Sequence, residues 1–189
     1  MEISIAFAGR GGQGLVFAAT LLANTLFKQG YYVAQLQSYG AEVRGGSVLA
    51  YVVASDMPIE NPFVDSFTLF IALHEAGVKR WLKLAQQSSI VILNRDLVET
   101  KTFPNTIVLP ITRKVEEAGA RGRENIAALG ILAALGVARN ELLIEVLRRQ
   151  KEFEKNRIAY KAGYALGLEI SSRVERLLRS QGEGPWLKT

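Results

Sequence analysis

The chain has 189 residues, 49% of them hydrophobic and 22% charged, enough for one domain with a sizeable core and too apolar for bulk disorder. It has no cysteine and one histidine, His74, which excludes disulfides, thiolate zinc sites and cysteine-ligated iron-sulfur clusters and leaves little for a histidine-rich metal site. The formal net charge is +5, uneven along the chain: Met1 to Ala72 carries three Lys or Arg against five Asp or Glu, so the basic excess lies in the remainder.

The N-terminus enters a strand-like run, Ile3, Ile5, Phe7 and Ala8, with no basic region or small-residue cleavage site, so the expected location is cytoplasmic. The longest charge-free stretch, Gly11 to Phe27, interrupted by Gln13, Thr20 and Asn24, falls short of the roughly 20 apolar residues of a membrane span. After Gly14, Leu15, Ala18, Ala19, Leu22, Ala23 and Leu26 recur at helical spacing, and Gln29-Gly30 stops the helix. Tyr31 to Leu36 suits a second strand, completing a unit the size of a parallel crossover. A polar, glycine-bearing segment, Gln37 to Gly46, precedes a strand at Ser47 to Ala54, and Asp56 to Pro62 reads as an exposed loop.

Phe67 to Leu73, Ile90 to Leu93 and Ile107 to Leu109 are nearly continuous apolar runs, as for strands covered on both faces. Between the first two, Glu75 to Gln87 predicts one helix, with Val78, Trp81, Leu82 and Ala85 on its apolar face. Val115 to Arg123 reads as a mobile loop. From Asn125 the pattern turns helical, through Ile126 to Leu135 and then Leu142 to Leu147, with Asn140 a candidate N-cap. A last helix from about Asn156 carries Ile158, Ala162, Ala165, Leu166, Ile170, Val174 and Leu177 on a face suited to lie on the sheet. Across the basic second part Lys and Arg are interleaved with Glu, as at Glu141, Glu145, Glu152, Glu154, Glu169 and Glu175, the pattern of solvated helices, so no nucleic-acid surface is expected. The expected fold is α/β: a single-domain, three-layer Rossmann-like sheet, mostly parallel, over 1–181, with C-terminal helices and a tail at 182–189.

Two segments could carry chemistry. Gly9-Arg10-Gly11-Gly12-Gln13-Gly14 has G-x-G-x-x-G spacing directly between a strand and a helix, where glycines permit a tight turn and free helix N–H groups attract an anion. The same glycines would equally serve a turn built for packing alone. The acidic residue that binds ribose in dinucleotide sites is missing at the end of the second strand, where Gln35 and Gln37 stand. The second segment is Tyr39-Gly40-Ala41-Glu42-Val43-Arg44-Gly45-Gly46. There Arg44 offers a planar fork for carboxylate or phosphate, oriented by Glu42, or the two form a structural salt bridge. His74 and Asn125 stand as minor candidates, the first an acid or base, the second a cap or ligand contact.

Together the two segments resemble the gamma subunit, or gamma domain, of 2-oxoacid:ferredoxin oxidoreductases. Pro58-Ile59 through Pro62, Ala72 through Ala76 and Asn125 through Gly136 are similar too. The second segment is more similar to the 2-oxoglutarate and general 2-oxoacid members than to pyruvate members, although Ala41 stands where many relatives carry proline. The resemblance implies a subunit of an enzyme that decarboxylates a 2-oxoacid oxidatively, forms an acyl-coenzyme A and passes electrons to ferredoxin. It further implies that thiamine diphosphate, Mg and iron-sulfur clusters reside in partner subunits, alpha and beta or alpha, beta and delta. For this chain it implies no catalytic residue and no metal ligand. Gly9, Arg10, Gly11, Gly12, Gln13, Gly14, Tyr39, Gly40, Glu42, Arg44, Gly45 and Gly46 would instead form a surface that admits coenzyme A. The alternatives are a non-catalytic assembly subunit and a stand-alone nucleotide-binding oxidoreductase.

Overall fold

The run from Ile3 to Ala8 is almost wholly apolar because the first strand, β1 (Glu2–Arg10), is covered on both faces: Ile3, Ile5 and Phe7 enter one core, Ala6 and Ala8 another. The computed structural model describes residues 2–41, 45–99 and 103–181. The other strands are β2 (Tyr32–Tyr39), β3 (Ser47–Ser55), β4 (Leu69–Ala72), β5 (Ile90–Asn94) and β6 (Thr106–Leu109). They form one sheet of order β2-β3-β1-β4-β5-β6. β4, β5 and β6 follow β1 in parallel, whereas β3 runs antiparallel to both β1 and β2. Five strands therefore share one direction, as expected for a mostly parallel sheet. The expected β1-helix-β2 crossover exists, but it passes over β3, which sits between its two strands.

The larger core lies under α1 (Leu15–Lys28), α5 (Glu124–Ala134), α6 (Asn140–Arg148) and α7 (Phe153–Ser180). The opposite face is covered by α2 (Glu75–Arg80) and α3 (Leu82–Gln87), with Ile59 and Val64 of the β3–β4 connection packed beside them. A short α4 (Ile111–Glu117) follows β6. α5 and α7 pack backbone against backbone, since a methyl group on Gly163 would overlap the Ala127 carbonyl. The expected tail, 182–189, lies outside the described residues.

Several local expectations need correcting. β2 extends to Tyr39, because an edge strand with one exposed side tolerates Gln37 and Ser38. The single helix expected over Glu75 to Gln87 is two, broken at Trp81 (φ −115°, ψ 38°), and Leu82 turns outward at 38% exposure. Val115 to Glu117, placed in a loop, belong to α4, whose Ile111 and Val115 are fully buried one turn apart. Asn140 is the first residue of α6 rather than its cap, and its Oδ1 accepts from the Tyr160 hydroxyl at 2.9 Å. α7 starts at Phe153, packs chiefly against α5 rather than the sheet, and buries Ala159, Tyr160 and Gly163 where Ala162 and Ala165 were expected.

Candidate functional site

Because β3 runs against the other strands, it begins at the edge where β1, β4, β5 and β6 end. The β1–α1 turn and the β2–β3 connection therefore meet at the carboxyl edge of the sheet, where α/β proteins bind ligands. Arg10 stands opposite Ser47, and Val48 opposite Tyr39. The Gly11 N–H donates to the Gly46 carbonyl at 2.7 Å, and Arg10 Nε donates to the Gly45 carbonyl at 3.0 Å. Gly45 has φ 65°, and a Cβ there would press to 3.1 Å from the Arg10 guanidinium, so only glycine lets the arginine lie across the backbone. The Gly40 N–H closes the connection on the Ser47 carbonyl at 2.8 Å.

The first turn is also tied to itself and to α5. Gln13 Oε1 accepts from the Arg10 N–H at 2.8 Å, and the Gln13 N–H donates to the Arg10 carbonyl at 3.2 Å. Gly14 precedes α1 in the left-handed conformation, φ 71°, and its carbonyl accepts from Asn125 Nδ2 at 3.0 Å. The first turn of α1 has no side-chain cap and no acidic residue, so its N-terminal amide groups are left for solvent or an anion.

Between the two segments runs an open groove of about 330 Å³. Arg10, Gly11, Gly12 and Gly14 line its polar end, and Leu15, Val16, Phe17, Tyr39 and Val48 its apolar side. Ten of the twelve expected site residues can be located: Gly9, Arg10, Gly11, Gly12, Gln13 and Gly14 form the β1–α1 side of this arrangement, and Tyr39, Gly40, Gly45 and Gly46 frame the β2–β3 side. Glu42, Val43 and Arg44 lie outside the described residues. Phe17, 38% exposed beside Tyr39 at 61%, went unnoticed in the sequence, where an aromatic on the outer face of an otherwise buried helix was the available signal.

His74 is a structural residue: its Nδ1 accepts from the Ala76 N–H at 3.1 Å and caps α2. Burial, and then the nearby Arg10 charge, hold its pKa below the usual histidine value. Asn125 is the second residue of α5 rather than its cap, and its side-chain amide is the strut under Gly14. The missing ribose acid has a counterpart in the topology, because β3 separates the end of β2 from β1. Among the described residues no cluster of three His, Asp or Glu could hold a metal ion, and no helix is long and apolar enough to cross a membrane.

Comparison with known proteins decides the family: the model of the pyruvate ferredoxin/flavodoxin oxidoreductase family matches residues 4–166. The chain belongs to that family. A 2-oxoglutarate synthase subunit KorC from Methanocaldococcus jannaschii is 31% identical over 90% of this chain and 96% of its own. The keto/oxoacid ferredoxin oxidoreductase gamma subunit of Geobacter sulfurreducens superposes with a TM-score of 0.73 at 30% identity, over 88% of this chain and 99% of that one. A 2-oxoglutarate:ferredoxin oxidoreductase from Magnetococcus marinus, solved with 2-oxoglutarate, coenzyme A and succinyl-CoA bound, shares the fold at TM-score 0.78 and 21% identity. That match covers 89% of this chain but 31% of the Magnetococcus chain, so this oxidoreductase-family member spans less than a third of it. Within its family the chain is of the gamma-subunit type.

Proposed function

We propose that this chain is the gamma subunit of a 2-oxoglutarate:ferredoxin oxidoreductase and that the groove between its two glycine segments receives part of coenzyme A. The observation that carries the reading is the groove's division into a cationic, amide-rich end and an apolar side. Arg10 and the uncapped start of α1 suit a phosphate, while Val16, Phe17, Tyr39 and Val48 suit an uncharged arm. At about 330 Å³ the groove holds one portion of so long a molecule, leaving the thiol end to reach into a partner subunit. Arg44 is a second cation in the sequence of the same connection.

The redox chemistry belongs elsewhere in the complex. A chain with no cysteine cannot ligate an iron-sulfur cluster through thiolates. Nor do the described residues cluster carboxylates for a magnesium-bound diphosphate. In this reading thiamine diphosphate, which stabilises the carbanion left by decarboxylation, and the clusters that lead electrons to ferredoxin both lie in the alpha, beta or delta subunits. The present chain binds, orients and excludes water. The likeness to KorC supports 2-oxoglutarate as the oxoacid.

The test is steady-state kinetics of the assembled, anaerobic complex carrying Arg10→Ala. A charge-assisted contact contributes about 1.5–3 kcal/mol, so the KM for coenzyme A should rise about tenfold or more, with the KM for 2-oxoglutarate unchanged. Unchanged values for both would leave the groove a protein-binding surface and the chain an assembly subunit.

A further inference from the structure

From Gly11 to Ala41 the chain carries one charged residue, Lys28, and that lysine is engaged by Glu145 at 2.7 Å. This segment is not interior. It forms the outer side of α1 and the edge strand β2; Phe17 at 38%, Phe27 at 69% and Tyr39 at 61% are exposed on the α1 side of the sheet, and Tyr32 at 52% is exposed at the same edge on the opposite face. Gln35 Nε2 donates to Thr20 Oγ1 at 3.1 Å, joining the outer side of α1 to the edge strand. The contrast within the molecule is sharp: α7 turns Glu154, Lys155, Lys161, Glu169 and Arg176 to solvent, as a solvated helix does.

The backbone points the same way. Among the described residues β2 pairs only with β3, so its other side is an open edge. Stand-alone proteins blunt such edges with lysine, proline, bulges or shortness. β2 has eight residues and none of these devices, reading YVAQLQSY. Aromatic enrichment with depletion of charge marks the core of a protein interface, and an open edge invites a strand from a partner.

We propose that this uncharged face, the outer side of α1 with the open edge of β2, is where a separate oxidoreductase subunit docks, the one equivalent to the remainder of the longer Magnetococcus-type chain. The occupant follows from the two lengths at which the fold occurs. It fills 99% of the Geobacter gamma subunit and 31% of the Magnetococcus chain. Where the module is a chain of its own, no peptide linkage holds it to the rest, and a large, charge-poor contact takes over that task. A second copy of this chain would leave the module detached from that remainder. The proposal rests on family membership; Phe17 and Tyr39 are shared with the groove, so its test uses Phe27 and Tyr32, which do not line it.

The experiment co-expresses the full chain with a tagged large partner subunit and introduces Phe27→Glu with Tyr32→Lys, two exposed positions that do not line the groove. Recovery of the double variant on the tagged partner should fall about tenfold or more, while the purified variant keeps the wild-type thermal midpoint. Glu169→Lys on α7 should be recovered like wild type. In the wild-type complex, amide hydrogens of Tyr32–Tyr39 should gain protection against exchange on assembly. Undiminished recovery of the double variant, or no gain in protection along β2, would overturn the proposal. So would a free chain that is dimeric by light scattering and becomes monomeric in the double variant with recovery unchanged, which would give the face to self-association.

Discussion

Asn125 in α5 donates its side-chain amide to the carbonyl of Gly14, 111 residues earlier in the chain, at 3.0 Å. The bond ties the helix layer to the residue that aims the start of α1 at the groove. Asn125→Ala should destabilise the chain by about 1–3 kcal/mol in chemical denaturation. Asn125→Asp should cost more, since a carboxylate would then face the carbonyl with no donor between them. An aspartate variant as stable as wild type would show that the amide is not the donor.

Gly14→Ala should be worse than either. Its φ of 71° strains any side chain, and the added Cβ would stand 2.5 Å from Asn125 Nδ2. The double variant Gly14→Ala, Asn125→Ala should recover part of the loss, leaving the strain of the backbone alone. Strict additivity in denaturation midpoints would separate the two residues.

A methyl group on Gly77, in α2, would overlap the backbone of Gly9 and Ala8 at the end of β1. Gly77→Ala should therefore cost about 2–4 kcal/mol and also raise the KM for coenzyme A in the assembled enzyme. Gly163→Ala, which forces α5 from α7 instead, should destabilise without that kinetic signature. Equal kinetics in the two variants would break the link between α2 and the groove.

His74 caps α2 through Nδ1 and needs its neutral form to do so. Its folded pKa lies below the ordinary histidine value of about 6.5, so below that pH the unfolded chain binds the proton first and stability falls with falling pH. Above about pH 6.5 the contribution is fully present. His74→Asn keeps a capping acceptor without titrating, and its stability between pH 5 and 7.5 should vary less than that of wild type. Parallel curves would exclude this histidine as the source.

The Ser47 hydroxyl is buried beside the glycine segments and has no hydrogen-bond partner among the described residues. Ser47→Ala should leave stability unchanged or raise it by up to about 1 kcal/mol, by the same denaturation measurement. A loss would mean that the hydroxyl is satisfied in solution.

Most strands were legible because burial on both faces writes itself as continuous apolar runs, as in Ile90 to Leu93. The edge strand was less so, since Gln37 and Ser38 need not be apolar. α4 escaped because two apolar residues, Ile111 and Val115, suffice to anchor seven. Nothing in the spacing of Val78 to Ala85 announces the break at Trp81. The insertion of β3 between β1 and β2 is a matter of long-range pairing, which local pattern does not encode. At the site, the two glycine segments and their shared edge were readable from residue types and order. The contacts that join them, Gly11 to Gly46 and Arg10 to Gly45, depend on that unencoded pairing.

The antiparallel ladder between β1 and β3 runs unbroken through nine residue pairs, from Glu2 opposite Ser55 to Arg10 opposite Ser47. It works as a ruler. A slip of one residue would carry the Gly46 carbonyl about 3.3 Å from the Gly11 N–H and turn Val48 out of the core. The width of the groove is therefore set by the pairing of two buried strands along their whole length. A molecule that touches both glycine segments meets a gap of fixed span, which it can fill or fail to fill but cannot widen.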